Sequence, residues 1–181
     1  MFRRNFLKNS IIGSLSASTI MSLTNKNNPI VKSVPRIIST WKHGVNANKI
    51  AWKKLNNGEG GLTAVEYGVR DSENDPNERS VGYGGLPDRE GKVTLDACIM
   101  DSNNDCGSVS FLENIKNPIS VARLVMEKTP HIMLSGKGAY DFAIENGFKS
   151  ENLLTEQSKK DWENWLKKSE YKPIINIENH D

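Results

Sequence analysis

Beyond residue 29 the chain alternates short apolar runs with polar breaks, and the spacing of the apolar positions changes from run to run. Val34 to Trp41 is rich in β-branched residues and predicts a strand, with Pro35 at its start or on an edge. Gly44 interrupts the pattern, and Ala47 to Leu55 follows as a helix that Asn46 is placed to cap. Gly58, Gly60 and Gly61 predict a turn. Thr63 to Arg70 predicts a second helix with Ala64, Val65 and Gly68 on one side. Asp71 to Arg79 is polar, carries Pro76, and predicts a loop. It leads into Ser80-Val81-Gly82-Tyr83-Gly84-Gly85, where three glycines let the backbone turn or approach another group closely. Pro87 to Gly91 predicts a further turn.

The second half is more regular. Val93 to Met100 and Gly107 to Leu112 predict two strands, and the polar turn Asp101-Ser102-Asn103-Asn104-Asp105 between them favours a hairpin. Ile119 to Lys128 reads as an amphipathic helix introduced by Pro118. His131 to Leu134 predicts a short strand ending at Gly136. Ala139 to Asn146 predicts a helix closed by Gly147. Thr155 to Lys168 predicts a longer polar helix, on which Trp162 and Trp165 share a face and read as packing residues. Tyr171 to Asp181 predicts a tail. Helices and strands interleave, so the class is mixed α and β. There is no internal repeat, and the pattern alone reveals no function.

Residues 1–29 follow different rules. Arg3 and Arg4 head the run Arg-Arg-Asn-Phe-Leu-Lys. A modest apolar stretch from Ile11 to Leu23 follows, then polar residues Thr24 to Asn28. A basic head, a short apolar middle and a polar exit predict an export signal, and the paired arginines give it a twin-arginine character. The expected destination is the periplasm or the exterior. No cysteine ends the apolar stretch, so a lipid anchor is not expected.

Composition adds mostly exclusions. Hydrophobic residues at 36% and charged residues at 25% suit one globular domain in a chain of 181 residues. The net charge of +2 gives no electrostatic reason to expect a nucleic-acid partner. The two cysteines, Cys98 and Cys106, form neither a CxxC pair nor a cluster with histidine, so no structural zinc is expected. Cys98 lies in an apolar strand and reads as a buried thiol. Simple hairpin register does not set the two opposite one another, which argues against a disulfide. His43 and His131 read as structural or surface residues.

Five segments, in order, resemble the glycosylasparaginase family: Ser39-Thr40-Trp41; Asp75-Pro76-Asn77-Glu78-Arg79-Ser80-Val81-Gly82-Tyr83-Gly84-Gly85-Leu86-Pro87-Asp88; Val93 to Asp101; Ile115 to Arg123; and Asn176-Ile177-Glu178-Asn179-His180-Asp181. The resemblance runs from about Ile37 onward. It implies an α+β fold, the four-layer αββα sandwich of N-terminal-nucleophile hydrolases. Residues 30–170 would be the α-subunit portion, supplying part of both sheets and helices of both outer layers. The tail 171–181 would end at a self-cleavage site.

In this family a precursor cuts itself between aspartate and threonine in the context His-Asp-Thr. The resemblance therefore implies autoprocessing roles for His180 and Asp181, and puts the nucleophilic threonine on a β-subunit from the same precursor. A threonine hydroxyl needs a base at neutral pH, and a threonine that has become the first residue of its chain carries one in its own α-amine. The resemblance further implies that Trp41 lines the substrate pocket and that Ser80 sits close to the nucleophile's amine, both facing the subunit boundary. Taken alone, Trp41 reads as a core or edge-strand residue and Ser80 as a turn residue. One departure stands out: residue 43 is His, where relatives often carry an aromatic such as Phe, at the rim of the pocket.

The implied reaction is hydrolysis of the amide between N-acetylglucosamine and the asparagine side chain of a glycoasparagine. It needs no metal or organic cofactor. The implied assembly is a dimer of αβ units. A related isoaspartyl peptidase or asparaginase is the nearest alternative, ranked second because its processing site usually reads Gly-Thr. An inactive truncated product acting as a binding or scaffold protein is the alternative from another class.

Overall fold

In the computed structural model, residues 34–169 are described. The expected export signal at 1–29, the tail 171–181 and with it His180 and Asp181 lie outside the described residues. Val34 to Arg36 carry no regular structure, and a compact unit begins at Ile37.

The unit is mixed α and β. Its first two helices are α1 (Gly44–Asn56) and α2 (Gly61–Asn74). They cross closely because small residues meet at the contact. Ala51 and Ala64 are buried, and a Cβ on Gly68 would come within 2.8 Å of the Ala47 carbonyl oxygen. A hairpin follows, β1 (Thr94–Met100) and β2 (Cys106–Glu113), paired antiparallel with a bulge between Leu95 and Ala97. Asp101 builds its turn: the carboxylate accepts the N–H groups of Asn103 and Asp105 at 2.8 and 3.0 Å.

Next come α3 (Pro118–Lys128), β3 (Met133–Ser135), α4 (Gly136–Glu145) and α5 (Glu156–Leu166). The strand β3 joins β2 in parallel, giving the order β1-β2-β3 for the one sheet among the described residues. One face of that sheet packs on α3 and α4 through Ile99, Val109, Leu112, Val121, Ala122, Val125, Ala139 and Ala143. The chain packs closely here, since a Cβ on Gly107 would lie 2.2 Å from the Ala122 carbonyl oxygen. Several side chains of the strands remain in solvent, with Met100, Phe111 and Met133 exposed.

The hairpin, the helix opened by Pro118 at its first turn, the helix closed by Gly147 (φ 86°) and the Thr155-capped α5 agree with the sequence pattern. Five expectations are corrected. No strand forms over 34–41; Val34 and Ile38 are exposed, because β-branched residues make a strand only where a neighbour completes the ladder. Gly44 starts α1 instead of breaking the pattern, which puts Asn46 inside the helix, while His43 occupies the capping position. Val65 is half exposed and does not share the buried side of Ala64 and Gly68. Residues 71–74, expected in a loop, are the last turn of α2. Cys98 lies on the outer face of β1 and is exposed, because strand alternation sends Ile99, and not Cys98, into the core. Both cysteines are free, with Cys98 opposite Ser108 and Met100 opposite Cys106.

The Ser80 loop is pinned from three sides. Tyr83 N–H donates to the Glu73 carbonyl at 2.8 Å, Gly84 N–H to the Leu153 carbonyl at 2.9 Å, and the buried Ser158 hydroxyl to the Gly84 carbonyl at 2.6 Å. Gly82 has φ 58°, and a Cβ there would lie 2.1 Å from the Glu73 carbonyl oxygen. Gly82→Ala therefore combines a left-handed backbone with a backbone clash, and the expected loss of stability is roughly 2–4 kcal/mol. Urea unfolding of the variant beside the parent checks this; matching midpoints would contradict the packing described.

Candidate functional site

The segment before α1 folds back on the helix start. The Ser39 hydroxyl donates to Asn48 Oδ1 at 2.5 Å, and Gly44 leaves room for it, since a Cβ there would meet the Ser39 Cβ at 2.2 Å. Gly44 N–H closes a turn on the Trp41 carbonyl at 3.0 Å. This presents Trp41 to solvent at 68% exposure, too open for a core residue. Its ring lies 6.0 Å from that of His43, tilted by 32°.

A second turn brings Glu78 to the same place. The Asp75 carboxylate accepts the backbone and side-chain N–H groups of Asn77, and Glu78 N–H donates to the Asp75 carbonyl at 3.0 Å. Glu78 then holds two groups at once. His43 Nδ1 lies 2.7 Å from Glu78 Oε2. The Ser80 hydroxyl donates to Glu78 Oε1 at 2.6 Å, and Ser80 N–H donates to the same oxygen at 3.2 Å. The Ser80 hydroxyl, more than anything else, holds the Glu78 carboxyl below the usual carboxylate range; partial burial opposes this, and the Ser80 N–H and His43 add to it. A carboxylate only accepts, so Nδ1 of His43 carries the proton of their bond.

Trp41 and Ser80, the two expected site residues within the described part, are thus joined at the surface by His43 and Glu78. Both are exposed. The sequence pattern reads His43 as structural or surface while the resemblance puts it at the pocket rim, and neither singles out Glu78. The available signal was an acid two positions before Ser80, inside the quoted motif.

Below this surface lies a buried polar cluster that sequence reasoning also missed. Glu73 is 2% exposed. Its carboxylate accepts Ile119 N–H at 3.0 Å and Asn117 Nδ2–H at 3.1 Å, which caps the first turn of α3. Burial pushes its carboxyl up from 4.5 to about 7, against the lowering effect of those two hydrogen bonds and of Arg70. Glu66 accepts from the Ser120 hydroxyl at 2.5 Å and from Arg123 at 2.8 Å. Glu66 and Glu73 are two helical turns apart and share the α2 face toward α3, a spacing visible in the sequence.

Near Ser80, Arg79 pairs with Asp161 of α5 at 2.5 Å. Beyond it a groove is lined by Leu86, Pro87, Arg89, Trp162 and Trp165. Trp162 packs over Gly91 and donates Nε1–H to the Arg89 carbonyl at 3.1 Å, whereas Trp165 remains exposed. Among the described residues no three His, Cys, Asp or Glu side chains converge as a metal site, and no helix is long and apolar enough to cross a membrane.

The asparaginase family pattern matches residues 17–180, reaching further upstream than Ile37. An N(4)-(β-N-acetylglucosaminyl)-L-asparaginase of Elizabethkingia miricola is 58% identical over 184 residues, covering 99% of this chain and 54% of its own. The enzyme of the same name from Rattus norvegicus is 41% identical over 148 residues, covering 81% of this chain and 41% of its own. The chain thus spans about half the length of the relatives it matches.

The raised Glu73 pKa has a consequence for stability. Between pH 4.5 and about 7 the folded chain keeps a proton that the unfolded chain has released. Stability from this group therefore declines as pH rises through that window and levels off above it. Glu73→Gln has no proton to lose, so the parent should lose up to about 3 kcal/mol relative to the variant across the window. Urea midpoints of both proteins at a series of pH values test this; parallel curves would contradict it.

Proposed function

The chain belongs to the asparaginase family, and on that premise we propose that it is the α-portion of an N-terminal-nucleophile amidohydrolase that cleaves the N-acetylglucosamine–asparagine amide of glycoasparagines. The observation that carries this reading is the 58% identity, over 99% of the chain, to a protein named for that activity. Because the chain spans only 54% of that relative, the remaining machinery is assigned to a β-portion of the same precursor.

In this reading the precursor arrives through the segment headed by Arg3-Arg4 and functions in the periplasm or outside the cell. It cuts itself after Asp181: a threonine hydroxyl attacks the Asp181 carbonyl carbon, the peptide C–N bond breaks, and water opens the resulting ester. His180 steadies the scissile segment. The cut frees the threonine α-amine, which then acts as the base. In turnover the threonine oxygen attacks the side-chain amide carbon of the substrate. Fixed hydrogen-bond donors stabilise the tetrahedral oxyanion. The glycosylamine leaves with the proton taken from threonine, and water releases aspartate.

Trp41 is assigned to the substrate pocket and Ser80 to the nucleophile's amine. Their exposure and their connection through His43 and Glu78 support a shared role at a boundary with the β-portion. The exposed Met100, Phe111 and Met133 on the sheet support its being covered by a second sheet, as the four-layer αββα sandwich requires. A dimer of αβ units completes the proposed assembly.

The test is a comparison of kcat/KM for the complete, self-processed enzyme on a glycosylated asparagine, a β-aspartyl dipeptide and free asparagine. The glycosylated asparagine should be preferred by at least about tenfold, equal to some 1.4 kcal/mol of transition-state binding. Preference for the dipeptide would reassign the protein to isoaspartyl peptide hydrolysis.

A further inference from the structure

We infer that Glu78, held by His43, is a positioning residue that fixes the Ser80 hydroxyl as a hydrogen-bond acceptor toward the amine of the nucleophile. The inference deepens the function proposed above and rests on it.

A serine hydroxyl has one proton and two acceptor lone pairs, and it rotates to suit its surroundings. Beside an amine it has two options. If it donates, it occupies the nitrogen lone pair and removes the basicity that threonine activation needs. If it accepts an N–H, it orients the amine and leaves that lone pair free for the threonine proton. Glu78 decides between them. Its carboxylate takes the Ser80 proton at 2.6 Å, which leaves only acceptor capacity on the exposed side of the oxygen. Ionised carboxylates accept strongly, so this orientation persists when an amine arrives.

His43 sets the carboxylate plane. Its Nδ1 bonds Oε2 at 2.7 Å while Ser80 uses Oε1, so the two oxygens are separately committed and the carboxylate cannot swing toward the amine as a competing partner. The side chains of His43 and Glu78 are 31% and 18% exposed, so both are sheltered without being buried. His43 also stacks obliquely near Trp41, which couples the serine's orientation to the proposed pocket wall.

Glu78 also accepts Ser80 N–H, so a purely structural role as a loop staple is the competing explanation. A double-mutant cycle on the complete processed enzyme separates the two. Glu78→Ala and Ser80→Ala should each lower kcat by roughly 10- to 100-fold with KM changed less than about twofold, and the double variant should be no slower than the worse single one. Glu78→Gln, which keeps an acceptor oxygen, should recover part of the loss. Should Glu78→Ala fail to fold, His43→Ala takes its place, with a smaller loss of kcat that vanishes in the Ser80→Ala background. Losses that multiply in the double variant, or that fall on KM with kcat intact, would overturn the inference while leaving the activity standing. If the unaltered enzyme hydrolyses none of the three amide substrates, the proposed function itself fails and this inference falls with it.

Discussion

Glu73 holds the described structure together from a position where an acid is expensive to place. Its carboxylate satisfies the N–H of Ile119 at the start of α3, and its carbonyl accepts the N–H of Tyr83 in the loop that carries Ser80. One residue at the end of α2 therefore joins the helix that covers the sheet to the loop that carries the candidate site. Gly82 is glycine because the Glu73 backbone lies against it. Burying this carboxyl raises its pKa to about 7, which is the energetic strain the arrangement carries. Two turns earlier Glu66 repeats the device with Ser120 and Arg123, so α2 meets α3 through paired polar contacts as well as apolar ones.

From this anchor the site is built outward. The loop from Ser80 to Leu86 cannot drift, since Glu73, Leu153 and Ser158 each hold a backbone group of it. On the opposite side, the Ser39–Gly44 turn sets Trp41 and His43 at the start of α1. Glu78 closes the gap between the two halves. Preorganisation of this kind matters because a hydroxyl that can rotate freely has no fixed role, whereas one whose proton is committed does.

Much of the fold was legible in the sequence where the local pattern was also the deciding interaction. The hairpin from Thr94 to Glu113 alternates by itself and carries its own Asp101 turn; Pro118, Gly147 and Thr155 mark helix ends through backbone chemistry that needs no distant partner. Two of the failures depend on partners far along the chain, whereas the Cys98 face follows from local strand alternation. Residues 34–41 have strand composition but no neighbour to pair with among the described residues. The last turn of α2 looked like a loop because the groups that satisfy Glu73, namely Asn117, Ile119 and Tyr83, are invisible to local pattern. For the candidate site, Trp41 and Ser80 came from the family resemblance and not from periodicity. His43 was marked only as a departure at the pocket rim, and its pairing with Glu78 became visible only when folding brought two separate turns together.

In the proposed function this chain is one half of a self-cutting amidohydrolase. Intact-mass and N-terminal sequence analysis of the product of the complete reading frame tests it most directly. Two co-purifying chains are expected, one with Asp181 as its last residue and one with threonine as its first. A single uncleaved chain that turns over substrate would contradict it, because the nucleophile's amine would never have been freed.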